Sequence, residues 1–319
     1  MTGAAIQRIT ATATLVPYGW YRVAGEGDLE PGGVRPLRYF GRELVHWRAE
    51  DGTHHLHDAI CPHLGAHLGY GGSVVGETVV CPFHGWRFDG EGTCAEIPYS
   101  ERVNRKARLT GYELAEANRM VFAWFHPHGV APLWEVEQFP EVDHPDFTPY
   151  YTGQFTVSAP PSMMGENAAD PAHFPIVHDN PVIPTVLSAE ADGPRFSIHM
   201  AMPLGTSMGD EPAELVVHQY GLGLSTTRFV GVFETLLIST QTPIDALTTD
   251  VRFHFTIRRL GTDDETEAFA HLYVDEIRRQ VEGDIVIWEH MHRIERPALA
   301  DVDGPILKYR AWTGQFFQI

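Results

Sequence analysis

The sequence predicts an α+β protein in two parts. An all-β amino-terminal domain spans residues 17–128, and an α+β domain with an antiparallel sheet and a long helix spans residues 129–319. Three observations predict this. Short apolar or alternating runs (LVHWRA, HHLHDAI, TVVCPF, MVFAWF), separated by Gly, Pro and Asp clusters, fill the first part. Five prolines, from Pro127 to Pro149, crowd a stretch where periodicity fades. A helical pattern from about Glu265 to Arg293 follows a series of strand runs, the mixture expected of helix packed on sheet.

Taken in order, Gly32-Gly33, Gly71-Gly72 and the DGEG at Asp89 to Gly92 supply turn chemistry between the first strands. The proline-rich stretch reads as an ordered crossing, because proline stiffens a chain without adding strand hydrogen bonds. Glu166 to His178 reads as a helix interrupted by proline. FSIHMAM, ELVVHQY, TRFVGVFETLLIST and VRFHFTIRRL read as strand runs, and no internal repeat or low-complexity tract is present.

Composition narrows the function classes. A chain of 319 residues suggests about two domains of ~150 residues. With 43% hydrophobic and 20% charged residues, large cores form and wholesale disorder is excluded. The balance of 23 basic against 42 acidic residues, a formal charge of −19, argues against nucleic acid or an anionic membrane surface as partner. It suits a soluble acidic protein that docks a basic patch on a partner. Cys61, Cys81 and Cys94 are too few and too odd in number for a disulfide framework. The opening MTGAAIQRITATATLVPYG holds no apolar run of signal-peptide length, and no segment reaches the ~18 apolar residues of a membrane span. A reducing cytoplasm is therefore the expected compartment. The 18 histidines direct attention to metal sites.

The first constellation is CPHLGAHL at residues 61–68 with CPFHGW at residues 81–86. The pattern is Cys61-x-His63, seventeen intervening residues, then Cys81-x-x-His84. Each half follows a strand run and carries a nearby glycine, Gly65 or Gly85, which suits two adjacent loops that each offer a thiolate and an imidazole. A tetrahedral zinc and a Rieske-type [2Fe–2S] cluster both take two Cys and two His. Zinc fingers pair Cys with Cys and His with His, whereas here each loop mixes them. With the surrounding Pro, Gly and aromatic residues, the loops closely resemble the Rieske family. Cytochrome-complex Rieske proteins carry an extra cysteine in each loop; Ala66 and Phe83 stand there, so that disulfide is absent. They also place a hydroxyl residue after the second His-Gly; here it is Trp86, which donates only through its indole. Fewer hydrogen bonds to the sulfurs imply a potential near the low end of the range of about −150 to +300 mV. Cys94 reads as a free cysteine in a hairpin and His67 as a loop surface residue, while His54, His55 and His57 read as strand residues.

The second constellation is ENAADPAHFPIVH at residues 166–178, which contains Asn167, Asp170, His173 and His178. Histidines five apart diverge by about 140° on a regular helix. Pro175 between them unwinds or kinks it, which turns both imidazoles inward. Two separate structural histidines are the plain alternative. Beside a Rieske centre, however, D-x-x-H-x-x-x-x-H resembles the opening of the catalytic domain in Rieske non-haem iron oxygenases. That resemblance implies a Rieske domain over residues 17–128 and a mononuclear-iron catalytic domain over residues 129–319. A face of two histidines and one carboxylate leaves open positions on Fe(II) for dioxygen.

The third ligand is sought far down the chain. With Asp284 at 0° on a wheel of ~100° per residue, Met291, Ile277, Trp288 and Val281 fall at about −20°, 20°, 40° and 60°. Asp284 thus lies within the apolar stripe, while Glu289, Glu282 and Asp275 fall at about 140°, 160° and 180°. A lone carboxylate on a buried face is costly unless paired or metal-bound. Asp284 is therefore the candidate, and the resemblance places the ligand there too; His292, at about 80°, is the rival. Asp170, one turn before His173, can accept from that imidazole's second N–H. In the family, the matching aspartate also reaches a cluster histidine of a neighbouring subunit, here His84. A simple helix-start carboxylate before Pro171 is the alternative. Asn167 is expected near the iron.

No G-x-G-x-x-G follows a strand and no second cysteine-rich motif is present, so the chain is not expected to take hydride from a nicotinamide itself. The resemblance implies NAD(P)H acting indirectly through a flavin-containing reductase or ferredoxin, dioxygen as co-substrate, and a homotrimer. The stretch from Asp284 to Phe317, with its IWEH, DGP and closing R-x-W-x-x-Q-F-F, resembles 3-ketosteroid 9α-hydroxylase oxygenases and sterol 7-desaturases. It implies monooxygenation of a small, apolar, steroid-sized substrate. Aromatic O-demethylation and sterol desaturation stay open, as do a Rieske electron carrier without catalysis and a zinc structural protein. Met163 and Met164 are read as core methionines rather than pocket walls.

Overall fold

The computed structural model describes residues 16–180, 182–203, 212–230 and 234–317. Residues 1–15, most of the opening stretch read above for a signal peptide, lie outside them. The described residues divide into two compact units, one of residues 20–136 and one of those from 137 onward together with residues 16–19. The boundary falls after Val136 rather than after residue 128 for a packing reason. The Trp20 indole donates to the Trp134 carbonyl at 2.6 Å, and Trp134 stands edge-on to Trp124 at 4.7 Å, so the last residues before 137 pack on the β unit. The Tyr18 N–H instead donates to the Phe316 carbonyl at 3.0 Å.

The first unit is all-β. Strands β1 (Gly19–Gly25), β2 (Val34–Tyr39), β3 (Arg42–Arg48), β4 (His54–Asp58), β5 (Ser73–Val75), β6 (Thr78–Val80), β7 (Arg87–Asp89), β8 (Cys94–Glu96), β9 (Leu114–Ala117) and β10 (Met120–Phe125) form three sheets. Their orders are β1-β10-β9, β2-β3-β4 and β5-β6-β7-β8. The predicted DGEG turn is built by Asp89, whose Oδ1 accepts from the Glu91 and Thr93 N–H groups at 3.0 and 2.8 Å. Trp47, Leu68, Val79 and Phe88 are fully buried in a core that also contains Cys61, Cys81 and Cys94.

The second unit is α+β. A seven-stranded antiparallel sheet runs in the order β11-β17-β16-β15-β14-β13-β12. Its strands are β11 (Tyr151–Val157), β12 (Thr185–Asp192), β13 (Arg195–Pro203), β14 (Pro212–Tyr220), β15 (Leu224–Val230), β16 (Thr235–Pro243) and β17 (Thr249–Ile257). The run TRFVGVFETLLIST, read above as one segment, is two strands: β15 and β16 pair antiparallel, with Phe229 opposite Thr235.

Among the described residues four helices accompany the sheet: α1 (Pro161–Glu166), α2 (Phe174–Val177), α3 (Asp263–Trp288) and α4 (Ile306–Thr313). Helix α3 starts at a capping box in which Thr262 and Glu265 satisfy each other's backbone N–H groups. It lays Val274, Ile277 and Val281 against Val157, Val251 and Phe253 of the sheet. It ends at Trp288, five positions before the predicted Arg293, so Met291 lies outside the helix and is exposed.

Candidate metal centres

Cys61 and His63 stand on the loop between β4 and β5, Cys81 and His84 on the loop between β6 and β7. The loops fold alike. The Cys61 N–H donates to the Ala66 carbonyl at 2.8 Å and the Gly65 N–H returns to the Cys61 carbonyl at 3.0 Å. The Cys81 N–H donates to the Trp86 carbonyl and the Gly85 N–H to the Cys81 carbonyl at the same two distances, 2.8 and 3.0 Å. Each turn needs one left-handed residue, supplied by Gly65 at φ 81° and Gly85 at φ 73°.

The thiols are 2% and 3% exposed, and burial pushes the Cys61 thiol up to about 11. The His63 and His84 rings lie 4.7 Å apart, and His84 Nδ1 is buried with no hydrogen-bond partner among the described residues. Buried thiols and an unsatisfied imidazole nitrogen fit a bound electrophilic centre. Among the described residues, the group of three or more His, Cys, Asp or Glu that closes to within 4.8 Å is His173, His178 and Asp284. Two Cys and two His, one of each on each loop, are a donor set that fits a [2Fe–2S] centre with thiolates on one iron and imidazoles on the other.

Trp86 donates through its indole, as expected of its residue type: the N–H goes to the Tyr99 hydroxyl at 2.7 Å, and the ring stacks on His63 at 4.4 Å. Tyr99, which no loop pattern signals, thus helps hold His63. One expectation for these loops is corrected. His67 is not a surface residue: its side chain is 16% exposed, its Nδ1 accepts from the Gly69 N–H at 3.0 Å, and it bridges to Ile60. Cys94 is a buried residue of β8, and His54 and His57 are buried strand residues of β4.

In the second unit, the segment from Pro161 to His178 is not one kinked helix. It is α1, two 3₁₀ turns over Asn167–Ala169 and Pro171–His173, and then α2. Each proline opens a new turn, where its missing N–H costs nothing. The changing axis cancels the angular divergence of a regular helix and brings His173 Nε2 to 3.1 Å from His178 Nε2. Asp284 comes from the apolar stripe of α3, 6% exposed, with Oδ1 3.5 Å from His178 Nε2. Asn167 Nδ2 lies 3.2 Å from both Asp284 Oδ2 and His173 Nε2. His292 is exposed and outside this group.

The electrostatics fit a cation. Burial lowers His173, and burial with the neighbouring His173 lowers His178 to about 4, so both imidazoles are neutral donors. Burial raises the Asp284 carboxyl to about 7, the mark of an anion without a positive partner. Two nitrogens bound at about 2.1 Å on adjacent positions of one metal stand about 3 Å apart. The observed 3.1 Å matches that spacing.

Asp170 departs from its predicted contact. The His173 Nδ1–H donates to the Asp170 backbone carbonyl. The carboxylate lies 3.9 Å from that nitrogen and instead accepts from the Ala172 N–H at 3.1 Å. The 3₁₀ turn places the carbonyl, not the side chain, over the ring. The carboxylate is left one-third exposed, and burial raises its pKa.

The carboxy-terminal motifs brace this segment. Gly304 of the DGP, at φ 69°, packs so closely that a Cβ would meet the Ala169 carbonyl at 2.6 Å and Pro171 Cδ at 2.5 Å. Arg310 clasps Glu166 through two bonds of 2.6 Å, both side chains mostly buried. Tyr309 donates to Gln219 Oε1 at 3.2 Å, and Gln219 Nε2 donates to the Gly165 carbonyl at 2.7 Å. Pattern reading registered these motifs only as a likeness; their partners lie more than eighty positions away.

A cavity of about 190 Å³ opens beside His173, His178 and Asp284. Met164, Ile277, Val281 and Trp288 line it from the helices, and strands β13 to β17 line it from below. Met164 is therefore a pocket wall as well as a core residue, a correction to its reading as core alone.

A cluster-type β unit followed by helices on a large antiparallel sheet is the architecture of a Rieske oxygenase. Residues 19–112 match the family model described as Rieske [2Fe-2S] domain, and residues 123–317 match the one described as 3-Ketosteroid 9alpha-hydroxylase C-terminal domain. The chain belongs to that family of Rieske-type oxygenases, as an oxygenase component. A cholesterol 7-desaturase of Ciona intestinalis is 31% identical over 94% of this chain and 68% of its own length. The oxygenase component of a 3-ketosteroid-9-alpha-monooxygenase of Rhodococcus rhodochrous is 29% identical over 94% of this chain and 83% of its own. Dicamba monooxygenase bound to dicamba shares the fold, with a TM-score of 0.79 at 18% identity over 95% of this chain and 98% of that one. No helix of the described residues is long and apolar enough to cross a membrane.

Proposed function

We propose that the chain is the terminal component of a monooxygenase, with Cys61, His63, Cys81 and His84 holding a [2Fe–2S] cluster and His173, His178 and Asp284 holding a ferrous ion. When bound, these groups supply electrons and activate dioxygen against a substrate in the adjoining cavity. The observation that carries the reading is the closure of two neutral imidazoles and one buried carboxylate at the mouth of that cavity, in a chain with a Rieske domain.

The protein's own groups do the positioning. Asn167 holds the Asp284 carboxylate and borders His173 Nε2, keeping the three donors on one face. The Asp170 carbonyl fixes the His173 tautomer by accepting at Nδ1, which leaves Nε2 free to bind. Ile277, Val281 and Trp288 exclude water from the far side. We assign the electrons to a separate flavin-containing reductase or ferredoxin, drawing on NAD(P)H, and the assembly to a homotrimer. In that assembly His84 and the one-third-exposed Asp170 carboxylate would join the cluster of one subunit to the iron of the next. Its cellular place is assigned to the cytoplasm.

The substrate proposed is steroid-like, from the names of the relatives. A second reading, a compact one- or two-ring substrate such as an aromatic ether, is favoured by the volume: about 190 Å³ falls below the roughly 300–1,000 Å³ usual for drug-sized ligands. The test is iron content with product analysis. About three irons per chain and labelled oxygen in the product of a steroid or aryl-ether panel support the enzyme. Cluster iron alone, with no product, leaves an electron carrier; zinc in a colourless protein leaves a structural one.

A further inference from the structure

The cavity floor is not uniformly apolar. Across β14, β15 and β16, Gln219 stands opposite Ser225, and Ser225 opposite Ser239, so three polar side chains form one row. The next cavity-facing row, Val217, Thr227 and Leu237, is mostly apolar. Gln241 follows Ser239 on the same strand face, with its Nε2 3.5 Å from Ser225 Oγ.

These groups divide in two. Gln219 is spent on structure, held between Tyr309 and the Gly165 carbonyl. Ser239 is 7% exposed, and its hydroxyl makes no side-chain hydrogen bond among the described residues, though it faces the cavity. Gln241 makes one loose bond to Ser225 and keeps its carbonyl oxygen and a second amide hydrogen. Buried polar groups are normally satisfied, so an open hydroxyl beside a half-used carboxamide marks a place for a ligand's polar atom. The charge of the walls says which atom. No Lys or Arg lines the cavity among the described residues, and its only titratable groups are His173, His178 and Asp284. A carboxylate or phosphate finds no protein counter-charge there, whereas a ketone or hydroxyl oxygen finds donors in the Ser239 O–H and the Gln241 amide.

We propose that Ser239 and Gln241, backed by Ser225, are specificity-determining residues that take the neutral oxygen function of an otherwise apolar, uncharged substrate. This rests on the reading of the cavity as the substrate site. It orients the molecule, because one end is held by hydrogen bonds while the body packs on Phe253 and Trp288.

The test is binding, measured by calorimetry on cluster- and iron-loaded enzyme without reductant. Tetralin, tetralone, tetralol and naphthoate share one size, and a saturated steroid ketone with its parent hydrocarbon forms the four-ring pair. One neutral hydrogen bond predicts that ketone and alcohol bind about fivefold tighter than the hydrocarbon. Ser239→Ala and Gln241→Leu are expected to shrink that preference to within about twofold while leaving tetralin's affinity unchanged, and Ser239→Thr to keep it. Equal binding of ketone and hydrocarbon, a preference retained in both disabling variants, tightest binding by naphthoate, or no binding by any member overturns the assignment. Iron content and oxygen incorporation, measured on the same preparation, separate that outcome from failure of the enzymatic reading.

Discussion

Asp284→Asn makes the chain without its mononuclear metal more stable. Asp284 sits on the buried face of α3 at 6% exposure, with Asn167 Nδ2 3.2 Å away as its one short donor contact. Burial lifts its carboxyl from the ordinary 3.8 to about 7. Because the folded chain prefers the neutral acid, stability is full below pH 3.8 and is lost as pH rises towards 7. A shift of roughly three units corresponds to an upper bound of about 4 kcal/mol at pH 8. Asparagine has the same shape and no charge, so it avoids that loss.

The assay is urea unfolding of chelator-treated protein, followed by near-ultraviolet circular dichroism. The Asn variant is expected to be the more stable at pH 8, by up to about 4 kcal/mol, with the gap narrowing by about 2–3 kcal/mol at pH 5. Ferrous ion reverses the order, since only the carboxylate chain binds it tightly. A metal-free Asn variant less stable than wild type at pH 8, or a gap that ignores pH, refutes the claim that this carboxylate is held in place for a cation.

The remaining predictions concern the other supports of the site. His173→Ala is expected to lose the mononuclear iron and turnover yet keep the cluster's visible spectrum; loss of both together contradicts two separate centres. Asp170→Asn should retain both metals, because the His173 ring is held by the backbone carbonyl, but slow cluster-to-iron transfer at least tenfold; an unchanged single-turnover rate removes Asp170 from the path. Arg310→Met strands the mostly buried Glu166 carboxylate and is expected to cost about 3 kcal/mol and weaken iron retention. An unchanged unfolding midpoint counts against the brace. In the β unit, burial lowers His46 to about 3 and His57 to about 4, so both are folded as neutral rings. Their contribution is complete above pH 6.5 and falls away as pH drops towards those values, by about 2 kcal/mol each at pH 5. Urea titrations that follow cluster colour at pH 7 and pH 5 should show the midpoint fall; a constant midpoint rejects the linkage.

Much of the candidate site's geometry was legible because it is local. Cys61 and His63 share one turn and Cys81 and His84 another, and a loop of that size is determined by its own glycine and backbone bonds. Asp284 was legible through periodicity, since a charged residue in phase with Ile277 and Val281 contradicts the burial of its neighbours unless something compensates it. The break between His173 and His178 was also visible in Pro171 and Pro175, although those prolines start turns rather than bend one helix.

What sequence left out shares a cause with what it misplaced. The indole donor of Trp86 is given by its residue type, but the partner of that donor, Tyr99, is chosen by how β8 and the following turn fold back. Asp170 was given the wrong acceptor atom because a 3₁₀ turn and an α-turn present different atoms at the same sequence spacing. Helix α3 stopped at Trp288 because apolar phase continued past the last residue that the sheet could cover.

Residue order alone therefore determined the two-part architecture, the two turns that carry Cys61, His63, Cys81 and His84, and the burial of the Asp284 carboxylate, all of which depend on neighbours within a few turns. Tertiary structure decided what those groups meet. It set the 3.1 Å approach of the two imidazoles, the clasp of Arg310 on Glu166, and the polar row of Gln219, Ser225 and Ser239 across three strands. Such contacts join residues far apart in the chain, and only the register of the sheet and the packing of α3 and α4 bring them within hydrogen-bond reach.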